Sequence, residues 1–119
     1  DSLGLTDADR VFRVGLSVVD GENTAEPGSL TVPRGAWVEF VAADGWTRMV
    51  AFELDSLSDA AAELLRSTGQ DASPPLLDAG TRFVVHFAGA PAGRYPYRVE
   101  GSARAARGVV VVAEPGEGR

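Results

Sequence analysis

A chain of 119 residues suffices for one domain with one core, and its 45% hydrophobic against 24% charged content excludes wholesale disorder. Without a single cysteine it can build no disulfide framework, thiolate metal site or cysteine nucleophile, and no apolar run approaches the ~20 residues of a membrane-spanning helix. Seventeen acids against eleven basic residues, all of them arginine, leave a net charge of −6, which disfavours nucleic acid as a partner.

Residues 1–9 (DSLGLTDAD) show no sustained period and read as a flexible N-terminal arm; the domain is expected over 10–113, with 114–119 as a polar tail or linker. A chain that starts at Asp1 reads as a processed or excised segment. From Arg10 onward, Phe12, Val14, Leu16 and Val18 alternate with polar or small residues, which predicts a half-buried strand. Asp20-Gly21 opens a polar loop that ends near Gly28. Two short strands follow around Pro33-Arg34-Gly35, the second with Val38, Phe40 and Ala42 inward and Trp37, Glu39 and Val41 on the other face. After a turn at Asp44-Gly45, Val50, Phe52 and Leu54 share one face while Met49 points away from the core.

Between Ser56 and Gly69 the period changes. Ser56 with Asp59 forms a capping box, Ser58 is a competing cap, and Leu57, Ala60, Ala61, Leu64 and Leu65 make an apolar stripe. This predicts one helical insertion over about 57–68, too short to persist unless its stripe packs on the rest. An irregular connector follows, with Leu76 and Leu77 expected to seal the domain edge. Phe83, Val85 and Phe87 then alternate against Arg82, Val84 and His86, the last read as an exposed strand residue. The closing stretch from Arg94 to Ala113, RYPYRVEGSARAARGVVVVA, places Tyr95, Tyr97 and Val99 inward, with both tyrosine hydroxyls satisfied, and returns through a polar loop and Gly108 into Val109–Val112. Seven or so short strands divided by Gly, Pro and Asp turns predict an all-β, antiparallel sandwich.

Three separated segments, in order, carry a family resemblance. Pro27, Leu30, Val32, Gly35, Val38 and Phe40 form the first; Arg48, Val50 and Phe52 the second; Gly93, Tyr95 and Tyr97 with Gly108 and its valines the third. Together they resemble the cupredoxins, the blue-copper domains typified by plastocyanin. The resemblance spans Val11 to Val112 and implies a cupredoxin-like Greek-key β-sandwich. It also implies four copper-ligand positions, occupied here by Arg48 (first histidine), Val99 (cysteine), Ser102 (second histidine) and Ala106 (axial methionine). A blue-copper centre needs a thiolate and two imidazoles. One histidine, one methionine and no cysteine cannot supply them, so no cofactor is expected and no residue is assigned as a metal ligand.

In the layout the resemblance implies, Arg48 approaches the loop of Val99, Ser102, Arg104 and Arg107, with Asp44 and Glu100 nearby. Arg48 then either pairs with a carboxylate or loop carbonyl and fills the emptied site, or joins Arg94, Arg98, Arg104 and Arg107 in a basic end that receives an acidic surface or a small anion. Trp46, in the adjoining turn, is the candidate interface anchor. No phosphate cradle, nucleophile elbow or histidine–carboxylate pair is present, so the chain is not expected to be an enzyme. The reading that follows is a non-catalytic recognition or assembly domain of an extracytoplasmic system, the compartment the resemblance implies. Its expected partner is a protein, such as another domain or subunit of a membrane-associated complex, contacted by Trp46, Arg48, Ser102, Arg104 and Arg107. Two alternatives stand beside it: an accessory component of an electron-transfer complex whose metal a partner supplies, and an anion-binding or enzymatic domain centred on Arg48.

Overall fold

The computed structural model describes residues 11–101 and 103–113; the expected N-terminal arm, the tail 114–119 and the candidate Ser102 lie outside the described residues. The strands are β1 (Val11–Val19), β2 (Glu22–Glu26), β3 (Ser29–Val32), β4 (Trp37–Ala42), β5 (Arg48–Phe52), β6 (Arg82–His86), β7 (Gly93–Gly101) and β8 (Ala106–Val112), with the helix α1 (Asp59–Ser67) inserted between β5 and β6. They form two four-stranded sheets, ordered β2-β1-β4-β6 and β3-β8-β7-β5. Period-two alternation turns Val14, Leu16, Val38, Phe40 and Val85 of the first sheet towards Val50, Phe52, Tyr95, Tyr97, Val99 and Val110 of the second. Each large apolar side chain so buried stabilises the fold by about 1.5–3 kcal/mol. Edge-to-face ring pairs tie the layers together, with Phe40 and Tyr97 centroids 4.9 Å apart and Phe87 and Tyr95 5.1 Å apart.

The sandwich is not wholly antiparallel: β1 runs parallel to β4, and β3 parallel to β8. After β2 the chain crosses to the second sheet as β3 and returns as β4, so each arriving strand settles beside one to which no hairpin joins it. The polar loop after Asp20 is instead a tight turn, both Asp20 and Gly21 having positive φ, followed by β2. Its strand character was hidden because the positions it turns to the core are the buried Asn23 and the small Ala25 rather than large apolar residues. Ser58, not Ser56, caps α1, its hydroxyl accepting from the Ala61 N–H at 3.2 Å. The buried stripe is Ala61, Ala62 and Leu65, with Ala60 exposed, since positions i, i+1 and i+4 share one arc of the helix.

Of the two connector leucines, Leu76 is buried and Leu77 exposed. The connector pairs with β5 as an extended segment, so Leu77 faces the opposite way. His86 is half-buried, its ring stacked on Trp37 with centroids 3.7 Å apart and its Nε2 3.1 Å from the Gly35 carbonyl oxygen. Tyr95 donates to the Pro91 carbonyl at 2.7 Å as expected, but the buried Tyr97 hydroxyl has no hydrogen-bond partner among the described residues.

Candidate functional site at the Arg48 end

β4 ends at Ala42, the chain turns through residues 43–47, and β5 begins with Arg48. The register sets Arg48 opposite Gly101, Val50 opposite Val99, and Val99 opposite Ala106. Three of the four positions implied as copper ligands therefore lie on adjacent strands at one end of the second sheet. The approach of β7 to β5 there depends on Gly101: a Cβ at that position would lie 2.1 Å from the Thr47 carbonyl oxygen and 2.7 Å from the Arg48 Cα.

Asn23, which sequence reasoning missed, fastens the loop that follows β7. Its Nδ2 donates to the carbonyls of Ala103 (3.2 Å) and Arg104 (3.0 Å), and its backbone N–H donates to the Arg104 carbonyl at 2.9 Å. The only signal available was a polar amide two residues beyond an Asp-Gly turn.

Arg48 is the largest fully buried side chain, with 0% exposure. Its Nη2 donates to Asp44 Oδ1, and its Nε lies 3.5 Å from Asn23 Oδ1. Asp44 also accepts the N–H of Val18 on Oδ2 (2.8 Å) and that of Trp46 on Oδ1 (3.1 Å). One carboxylate thus joins the end of β1, the Trp46 turn and the guanidinium. Partial burial pushes the Asp44 carboxyl up, but the hydrogen bonds from Arg48, Val18 and Trp46 and the arginine's charge outweigh it and hold the group below its ordinary range. A guanidinium without water must have such a counterion, because leaving it unpaired would cost several kcal/mol. Arg48 Nη1 has no hydrogen-bond partner among the described residues.

Of the two alternatives for Arg48, the structure has the carboxylate pair, and the arginines near it do not gather into a basic end among the described residues. Arg104 is exposed and pairs with Glu22 at 3.5 Å. Arg107 lies on the outer face of the second sheet, where Nε and Nη2 fork onto Glu53 at 2.8 and 3.2 Å. Arg98 pairs with Glu100, and Arg94 stands at the far end of β7, opposite Val111. With Arg48 inside and its neighbours neutralised one by one, no cluster of positive charge remains among the described residues to face a ligand.

The exposed feature of this end is apolar. Val19 closes β1, Trp46 sits in the turn, Met49 follows Arg48, and Leu77 follows the Leu76 that pairs with Arg48; each is between 40% and 54% exposed. Of the candidate contacts, Trp46, Arg104 and Arg107 are accessible and Arg48 is not.

Among solved structures the chain is similar to a purple cupredoxin from Nitrosopumilus maritimus, at 21% identity over 86% of this chain and 99% of that one, with a TM-score of 0.58. A copper(I) methionine-to-alanine variant of amicyanin matches at 20% identity over 94% of this chain and 89% of that one, with a TM-score of 0.55. The chain has a cupredoxin-like fold. An oxidised methionine-to-leucine variant of amicyanin gives the same fold at 19% identity, again over 94% and 89% of the two chains, with a TM-score of 0.54. No protein-family model matches the sequence, and no curated protein does.

This cupredoxin-like domain does not fit type 1 copper. The first ligand position holds a permanently cationic side chain in an ion pair, Val99 and Ala106 offer no donor atom, and the sequence contains no thiol. Its one histidine belongs to the first sheet, where it pairs with the start of β4, at the end remote from Arg48. Among the described residues no three or more His, Cys, Asp or Glu side chains gather where they could hold a metal ion, and no helix is long and apolar enough to cross a membrane.

Proposed function

We propose that the chain is a copper-free, non-catalytic recognition or assembly domain of an extracytoplasmic system, and that it binds a protein partner through the end above the Asp44–Arg48 pair. The observation that carries this reading is the distribution of exposed apolar side chains. Of the six large ones among the described residues, four (Val19, Trp46, Met49 and Leu77) stand at this one end, while Val11 begins β1 at the opposite end and Val84 lies in the middle of β6. A few buried anchors, tryptophan foremost among them, supply most of the affinity of protein interfaces, and apolar neighbours such as these exclude water around them. Beneath them Asp44 holds the Trp46 turn by its backbone N–H, so the indole is presented from a fixed loop and little ordering is left to occur on binding.

The test is affinity capture from the source extract with the wild-type domain and two variants. A partner retained by the wild type and by Val84→Ser, but lost with Trp46→Ser combined with Leu77→Ser, supports the reading. Equal retention by all three refutes it.

One observation favours a second reading, an anion site centred on Arg48: the Nη1 atom without a hydrogen-bond partner among the described residues. A calorimetric titration with inorganic phosphate and with acetate distinguishes it, since heat that disappears in Arg48→Met is expected only if the guanidinium receives the anion.

A further inference from the structure

The connector from Gln70 to Leu77 runs along the side of the sandwich where β5 and β6 are the outermost strands of their sheets. An outermost strand presents a row of unpaired N–H and C=O groups, a template on which another chain can add. On β5 the connector takes up that row. The N–H groups of Arg48, Val50 and Phe52 donate to Leu76 O (3.3 Å), Ser73 Oγ (2.9 Å) and Asp71 O (2.9 Å). In return, Leu76 and Ser73 donate to the Arg48 and Val50 carbonyls, both at 2.8 Å.

On β6, among the described residues, a single side chain does the corresponding work. Thr81 and Phe87 bond to residues flanking or within β4, so by alternation the backbone groups of Arg82, Val84 and His86 face outward. Gln70 Oε1 accepts the His86 N–H at 2.7 Å, and Gln70 Nε2 donates to the His86 carbonyl at 3.2 Å. The amide thus makes both bonds that a residue of a neighbouring strand would make. Its orientation is fixed by a bond from Nε2 to Thr68 Oγ1 (2.9 Å) and by the Gln70 N–H on the Leu65 carbonyl (2.8 Å), which anchor it to the end of α1.

We propose that Gln70 is an edge guard: its amide ends the β2-β1-β4-β6 sheet at His86 and prevents β6 of a second copy of this chain from extending it. The register of β6 explains why guarding one residue is enough. Antiparallel pairing of two β6 strands about Val84 would set Val84 against Val84 and each Arg82 against a His86, joining three outward positions through about six hydrogen bonds. With His86 occupied, both ends of that symmetric ladder are blocked. The pairing that remains possible, Arg82 against Val84, is two residues long and too short to hold. This inference is independent of the docking surface at the Arg48 end.

The experiment compares the wild type with Gln70→Ala and Gln70→Asn, the latter retaining an amide that is one carbon too short to reach His86. Sedimentation over a wide concentration range and amide hydrogen exchange are read on each. The wild type is expected to remain monomeric. Both variants are expected to form a concentration-dependent dimer, and their His86 amide to exchange about tenfold faster in the monomer, as for loss of one hydrogen bond of ordinary net strength. Adding Val84→Lys, which opposes two cations at the centre of the paired ladder, is expected to abolish the dimer. Variants that stay monomeric at every concentration overturn the proposal, as does a dimer that survives Val84→Lys. If Gln70→Ala does not fold, the same outcomes are read on Gln70→Asn alone.

Discussion

Replacing Asp44 by Asn removes one negative charge while preserving shape, and it leaves Arg48 with 0% exposure and no counterion. Breaking a buried ion pair from one side costs about 3–5 kcal/mol. The lower end applies here, because the Asp44 side chain keeps 29% of its surface in water and the asparagine oxygen can still accept from Arg48 and Trp46, although its amide nitrogen then leaves the Val18 N–H without an acceptor. We therefore expect about 3 kcal/mol in chemical denaturation, and a fall in Tm on the order of 15 °C for a domain of this size. The opposite substitution, Arg48→Met, should cost only about 1 kcal/mol, since the carboxylate left behind retains water and the N–H groups of Val18 and Trp46. The double variant should also lie within about 1 kcal/mol of wild type, giving a strong non-additivity that identifies the pair rather than the residues as the source.

The same pair predicts an acid response. The folded pKa of Asp44 lies below its unfolded value, so its contribution is full above the ordinary carboxylate range and disappears as pH falls below about 4 through the depressed value. Glu39 acts in the same sense: the hydrogen bond from Arg13 lowers it most, burial opposes, and Arg82 adds to the lowering. Asp44→Asn should consequently flatten, but not abolish, the acid limb of stability against pH. An asparagine variant within about 1 kcal/mol of wild type, or a methionine variant less stable than the asparagine one, would show that Arg48 is not held as argued.

Tyr97→Phe removes a buried hydroxyl that has no partner among the described residues, and should be neutral or stabilise by about 1 kcal/mol in thermal melts; a loss exceeding that would mean the hydroxyl is bonded. Burial pushes the Tyr97 hydroxyl up to about 12, so its contribution is complete below the unfolded value near pH 10 and is lost as pH rises through 12. The phenylalanine variant should show a shallower alkaline limb, with some slope left by Tyr95, which burial also raises against the lowering charge of Arg34. Gly101→Ala must push β7 away from the Thr47–Arg48 backbone and should cost about 2 kcal/mol or more, with NMR shift changes centred on those two residues. Gly108→Ala should cost a similar amount, because its Cβ would meet the Tyr97 hydroxyl at 2.3 Å; stability close to wild type in either variant would contradict the packing described.

Most strands could be read from the chain because their inward positions are Val, Leu, Phe and Tyr at period two, and the inserted helix because that period changes near Ser58. β2 escaped notice for a physical reason: Asn23 gains its burial by bonding the loop after β7, and no local pattern announces a bond to residues 80 positions away. The Arg48–Asp44 pair was half legible. The two residues are four apart, and the resemblance brought Arg48 to a site that needed filling, but whether the arginine lay inside or out depended on the layers around it. Whether the neighbouring arginines would gather into a basic end was open for the same reason. Glu53 and Arg107 are far apart in sequence, and nothing short of the sheet order puts them on one outer face.

By itself, then, the sequence determined the inventory. Absent thiols and a single imidazole exclude type 1 copper whatever shape the chain adopts, and alternation of apolar residues requires that one face of each sheet be covered, because half of every strand must leave water. Only the tertiary structure decided how charges and edges are satisfied. A guanidinium can pair with any carboxylate within reach, and a strand edge can meet any amide, so these choices are made by the faces and registers that the packed layers bring together.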